Sequence, residues 1–131
     1  MDRVRIERLP NTKDIEGAKR WDEDKGEFVQ VSYKQEIWHL AFFELKKGFF
    51  RGSHYHEKKE EFFYIINGRI RAIFFDIDTG EKEEHILEKG ERINVLPRCG
   101  HIFIGLEDTY VIEYSPQVYD KEDAYRLDFS V

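Results

Sequence analysis

The sequence predicts an all-β fold in a single domain, and three observations predict it. From about Ile37 to Tyr114 the chain runs in short apolar or alternating segments separated by turn residues, with no sustained apolar period of 3.6. Turn signals recur at the spacing of a sandwich or barrel, at Asn67-Gly68, at Asp78 to Gly80 and at Glu88 to Gly90. A length of 131 residues, 40% of them hydrophobic and 15% aromatic, suits one domain with a real core.

Taken in order, residues 1–30 are polar, carry the charged cluster Asp22 to Gly26, and are expected to form an N-terminal arm or an added strand. Residues 31–116 form the body. Within it, Asn67-Gly68 predicts a tight hairpin between Phe62–Ile66 and Arg69–Phe75, because a type I′ turn needs positive φ at both central positions and Asn-Gly tolerates it. Residues 117–131 are a C-terminal tail, of which Asp120 to Asp128 is expected to form one or two helical turns. The sequence shows no internal repeat, linker or low-complexity segment.

Composition excludes several classes of partner. The net charge of -6 sets a field that repels polyanions and anionic surfaces, so neither nucleic acid nor membrane is expected as a partner. A small phosphorylated ligand stays open if Arg51, Arg69, Arg71 and Arg98 converge, since such a ligand feels the pocket rather than the whole molecule. Cys99 is the only cysteine, which rules out an internal disulfide and a multi-thiolate zinc site, and fits a reducing, cytoplasmic setting. Met1 to Asn11 carries no apolar run of the signal-peptide kind, and no stretch approaches the ~20 apolar residues of a membrane helix.

The chemistry concentrates between Gly48 and Gly68. Alternate side chains of a strand share a face, so His54 and His56 project together, and an antiparallel strand beginning at Glu61 brings a carboxylate opposite them. Glu61 is preferred to Glu60 because its face continues through Phe63 and Ile65. His101, after the turn at Pro97, is the fourth member. Three imidazoles and a carboxylate suit one divalent first-row ion, whether Fe, Mn, Ni, Co or Zn.

Those residues carry a resemblance. Gly48, His54, His56, Glu61 and Gly68 meet every interval of the first motif of the cupin superfamily: Gly, five residues, His-x-His, three or four residues, Glu, six residues, Gly. For the second motif, Gly90 and His101 keep the expected separation; Pro97 falls one residue late, Cys99 replaces a glycine and Gly105 an asparagine. The resemblance implies a single-domain cupin over 1–131, a double-stranded β-helix or jelly-roll barrel with its core at 31–116.

Within the superfamily the chain is similar to two groups of nucleotide-sugar enzymes. Arg51 to His56, Lys58 to Glu60, Asn67-Gly68, the Pro97-to-His101 spacing and Tyr119-Asp120 resemble the dTDP-sugar 3,4-ketoisomerases. Arg51 to Tyr55, Gly100 to Phe103 and Tyr114 fall where the dTDP-4-dehydrorhamnose 3,5-epimerases carry matching residues, although Glu61 replaces their substrate-binding lysine. The resemblance implies an isomerase or epimerase acting on a nucleotide-linked 4-keto sugar, a dTDP-sugar among the candidates, by proton abstraction and return. In it His54 is the base, Tyr114 the acid on the other face, His56 and His101 stabilise the enolate, and Arg51 binds substrate. No cofactor is then required. A homodimer is expected by the same resemblance and by the need to cover strand edges.

Two other readings stand beside this one. A metal-dependent oxygenase or lyase on a small polar substrate would use His54, His56, Glu61 and His101 as ligands. A non-catalytic metabolite-binding cupin would bind without turnover. His39 is read as a core or pocket-wall residue, His85 as an exposed strand position, and Cys99 as inert. Trp38, Phe42, Phe63, Phe74 and Phe103 are read as packing, and the charge runs Glu57 to Glu60 and Glu81 to Glu84 as solvated faces.

Overall fold

The computed structural model describes residues 1–129. In chain order its strands are β1 (Val4–Arg8), β2 (Lys19–Glu23), β3 (Gly26–Gln30), β4 (His39–Leu45), β5 (Phe50–His56), β6 (Glu61–Asn67), β7 (Arg69–Asp76), β8 (Lys82–Glu88), β9 (Glu91–Val95), β10 (Cys99–Gly105), β11 (Thr109–Ser115) and β12 (Ala124–Arg126). Sheet I has the order β1-β9-β6-β11-β4 and sheet II the order β12-β5-β10-β7-β8, while β2 and β3 pair separately as a hairpin.

Among the described residues no sheet closes on itself. Sheet I ends at β1 and β4 and sheet II at β12 and β8, so the expected jelly-roll barrel is corrected to two open five-stranded sheets. Turn spacing could not decide this, because a sandwich and a barrel place turns at the same intervals. The turn at Asn67-Gly68 is corrected for a related reason. β6 lies in sheet I and β7 in sheet II, so Gly68 is a corner between sheets and not a hairpin. Asn67 is not among the positive-φ residues, whereas Gly68 has φ 99°. Thr109 presses so close that a Cβ on Gly68 would lie 2.4 Å from its Oγ1.

The two sheets face each other across one core. Alternation sends Phe63 and Ile65 of β6, Ala72 and Phe74 of β7, and Phe103 of β10 into it. A second, smaller cluster covers the back of sheet II, where Ile73 and Ile102 meet Phe129 of the tail. The tail makes one 3₁₀ turn, Lys121–Asp123, and then extends as β12 along β5. Trp38 and Phe42, expected to pack, are instead 65% and 59% exposed beside edge strand β4. Their side chains fall outside the space between the sheets, which Phe43 and Leu45 help to fill. No helix among the described residues is long and apolar enough to cross a membrane.

Candidate active site

The pocket opens between the sheets, and a distortion in β5 shapes it. Opposite β10 the register shifts: His101 pairs with His54 but Ile102 with Gly52, leaving Ser53 as an extra residue. Gly52 and Ser53 both have positive φ, 101° and 68°. The close approach requires glycine, since a Cβ at Gly52 would lie 2.7 Å from the carbonyl oxygen of His101. Past this bulge, His54 and His56 line the pocket from sheet II together with His101 of β10, and Glu61 enters from β6 of sheet I. The cavity measures about 240 Å³.

The three imidazoles pack edge to face, with ring centroids 4.9 Å apart for His54 and His56 and 5.0 Å for His54 and His101. His56 Nδ1 donates to the backbone carbonyl of Asp123 at 2.8 Å, which leaves the Nε2 lone pair facing Glu61 Oε1 at 3.4 Å. Glu61 Oε2 lies 3.9 Å from the ammonium of Lys59, which is only 6% exposed.

Burial dominates the electrostatics. It pushes the carboxyl of Glu61 up to about 7, because the charged form loses its hydration. It lowers His54, lowers His56 to about 4 with help from the neighbouring His54, and holds His101 well below the usual imidazole range. The imidazoles are therefore neutral at pH 7 and present lone pairs, the state required of a base or a ligand.

This donor set fits a divalent ion. Ligand atoms of His54, Glu61 and His101 all lie within 4.8 Å of one another. The Nδ1 of His101 is buried with no hydrogen-bond partner among the described residues. His56, the fourth residue of the expected set, has Nδ1 committed to the carbonyl of Asp123 and turns Nε2 toward Glu61.

Tyr114 is not brought to the pocket. On β11 it is Glu113 that lines the cavity, and strand alternation turns Tyr114 to the outer face of sheet I. There its ring stacks on Phe62 at 4.9 Å and its hydroxyl donates to the carbonyl of Val31 at 3.3 Å. Arg51 does line the pocket; its guanidinium lies 5.0 Å from the ring centroid of Phe43 and its Nε donates to the carbonyl of Glu44. The other arginines do not converge with it: Arg69 pairs with Glu107, Arg71 with Glu84, and Arg98 with Glu57 and Asp78.

His39 is a pocket-wall residue and His85 a half-exposed position on β8 paired with Glu83. Glu113, which lines the cavity, and Asp123, which fixes His56, were not legible in the sequence, while Lys59 and Tyr119, which also line the cavity, stood in the resemblance without a role. Lys59 sits in a run that reads as solvated. It is buried because the carboxylate of Asp123 accepts from the amides of Glu57, Lys58 and Lys59 and folds that turn inward.

Two facing sheets with a histidine-carboxylate pocket between them make a cupin-like fold. Over 96% of this chain it superimposes on a TDP-quinovose 3,4-ketoisomerase from Campylobacter jejuni, with a TM-score of 0.79, 14% identity and 94% of that chain covered. A dTDP-4-dehydrorhamnose 3,5-epimerase from Sulfolobus tokodaii matches over 95% of this chain and 88% of its own, with a TM-score of 0.75 and 18% identity. Residues 21–125 match the family model of the polysaccharide biosynthesis C-terminal domain, and the chain belongs to that family. A curated relative, the UDP-2-acetamido-2,6-beta-L-arabino-hexul-4-ose reductase of Pseudomonas aeruginosa, is 32% identical over 103 residues. That match takes in 76% of this chain and 28% of the relative's length.

Proposed function

We propose that this cupin domain, spanning 1–131, is an isomerase or epimerase of a nucleotide-linked 4-keto sugar. One observation carries the reading: a neutral His54 lines a polar pocket with His56, His101 and Glu61. A hydrogen on the carbon next to a ketone is acidic, and a desolvated neutral imidazole is suited to remove it. His101, whose buried Nδ1 has no hydrogen-bond partner among the described residues, would donate to the enolate oxygen, and Arg51 and Lys59 offer cationic donors for diphosphate or sugar oxygens. The relatives support the substrate class, because their names speak of TDP-linked sugars and of a UDP-linked hexul-4-ose.

A second reading is favoured by the three-ligand group. His54, Glu61 and His101 would hold a divalent ion, which supplies Lewis-acid polarisation of a carbonyl oxygen when bound. The two readings use His54 differently, since an imidazole nitrogen that binds a metal is not free to accept a proton. We also place the domain in the cytoplasm, from its single buried cysteine, and expect a homodimer that covers edge strand β4 with its exposed Trp38, Leu40 and Phe42.

Elemental analysis of the purified protein, beside thermal-shift titrations with TDP, UDP and their 4-keto sugars, tests the choice. Stabilisation by nucleotide after exhaustive chelation is the expected result. Stoichiometric metal without nucleotide stabilisation would overturn the sugar reading.

A further inference from the structure

Every arginine of the chain pairs with a carboxylate among the described residues except Arg5, Arg51 and Arg126. With 27 acidic side chains to 21 basic ones, a carboxylate is the partner a guanidinium meets most readily, so the arginines left without one stand out. Arg5 lies beside Phe62 and Arg92 on the outer face of sheet I, away from the pocket. Arg51 and Arg126 both stand at the pocket mouth.

Arg51 lines the pocket, and only its Nε is engaged, on the carbonyl of Glu44 at 3.1 Å. Arg126 arrives from the tail. Where β12 pairs with β5, Ala124 stands opposite His56 and Arg126 opposite His54. Directly opposed side chains of an antiparallel pair share a face, and Tyr55 and Tyr125 occupy the other one, stacked with ring centroids 5.2 Å apart. Ala124 accordingly lines the main cavity, and Arg126 lines a groove of about 310 Å³ that shares Gly52, His54 and Ala124 with it. Phe50, 60% exposed, lines the same groove.

The tail is held in this place by the bulge in β5. Ser53, the extra residue, donates from Oγ to the carbonyl of Leu127 at 2.6 Å and accepts from the Leu127 amide at 2.9 Å. Leu127 and Phe129 pack behind sheet II against Ile73 and Ile102. The backbone at Arg126 is therefore fixed before any ligand arrives, which limits the ordering that binding would cost.

We propose that Arg126 of the tail and Arg51 of β5 form a two-arginine clamp at the pocket mouth that holds the diphosphate of a nucleotide, with the Phe50 ring as the platform for its base. The inference deepens the sugar reading given above and rests on it for the group that enters the pocket beyond the diphosphate. A diphosphate carries oxygens on two phosphorus atoms, so each can meet one planar guanidinium fork, which a single carboxylate or phosphate cannot offer to both. The exposed ring beside Arg126 favours a nucleotide over an inorganic anion, because bases stack on aromatic faces. Lys59, buried deeper in the cavity, is left to the sugar end.

Calorimetric titration of the chelated protein at low salt with UDP, TDP and inorganic pyrophosphate tests this. Arg126→Ala and Arg51→Ala should each weaken UDP and TDP by about 10-fold or more, and Arg126→Lys by less. Arg71→Ala, which removes an arginine paired with Glu84 outside the pocket, should stay within about 2-fold. Thermal melts confirm that the variants fold. UDP binding by Arg126→Ala equal to that of wild type would overturn the clamp and leave the sugar reading standing. An equal loss in Arg71→Ala would reduce the effect to the general field of the protein and overturn the clamp as well. Pyrophosphate bound as tightly as UDP would overturn the assignment to a nucleotide. Wild-type protein that binds none of the three would remove the clamp and the sugar reading together, whereas nucleotide bound through Arg126 without labelling or conversion of a 4-keto sugar would support the clamp and remove only the reading.

Discussion

The backbone carbonyl of Asp123 and Nδ1 of His56 are joined by a 2.8 Å hydrogen bond, and the Asp123 carboxylate also accepts from three successive amides of the turn before β6. One tail residue therefore sets the tautomer of a pocket imidazole and folds the turn that carries Lys59. Replacing Asp123 by Ala leaves those amides without their acceptor. We expect a loss of about 1–3 kcal/mol in chemical denaturation, together with lower activity, whereas Asp123→Asn should retain part of both.

The two faces of sheet I separate chemistry from packing. Tyr114→Phe should keep activity within about 2-fold and cost about 1 kcal/mol, since its hydroxyl bonds Val31 on the outer face. His54→Gln should lower turnover by about 10²–10⁴-fold with little change in melting temperature. Steady-state kinetics on the two variants side by side checks the assignment; a Tyr114→Phe protein as impaired as His54→Gln would reverse it.

How much of this was legible in the sequence depends on which side of a strand could be read. His54, His56 and Glu61 were, because intervals of two and five residues around one turn fix their common face. Tyr114 was not. β11 is apolar on both sides, Tyr110, Val111 and Ile112 in succession, so its alternation gives no inside or outside, and only the pairing of Glu113 with Phe63 and Ala41 settles it. The Asn67-Gly68 turn was visible but its partners were not, since a corner between sheets and a hairpin ask for the same glycine. Lys59 and Asp123 meet across 64 residues of chain, a relationship that a local charge pattern does not contain.

Glu61 makes stability depend on pH in a definite direction. Its folded carboxyl titrates at about 7, above the ordinary 4.5, so the folded state binds the proton more tightly than the unfolded chain. That contribution is complete below 4.5 and is lost as the pH rises through 7. His56, lowered to about 4, works the other way: its contribution is complete above 6.5 and is lost as the pH falls through 4. With chelator present, Glu61→Gln should therefore gain stability over wild type at pH 8 relative to pH 5, by an amount on the order of 3 kcal/mol at most. Thermal melts at the two values measure it. An unchanged difference between the two proteins would contradict the burial argument.

Cys99 should be chemically silent. It is buried in the core, and burial pushes its thiol up to about 12, so almost none is thiolate at neutral pH. Intact-mass analysis after iodoacetamide at pH 8 should find no adduct on the folded protein and one adduct after denaturation.

The central claim is that His54 removes a proton beside a ketone. Metal-stripped wild-type protein and His54→Gln, each incubated in D2O with a nucleotide-linked 4-keto sugar, report on it through the mass of the recovered sugar. The account predicts a gain of deuterium with wild type and about 100-fold slower labelling with the variant. Equal labelling by both, or labelling by wild type only after one particular metal is restored, would contradict it.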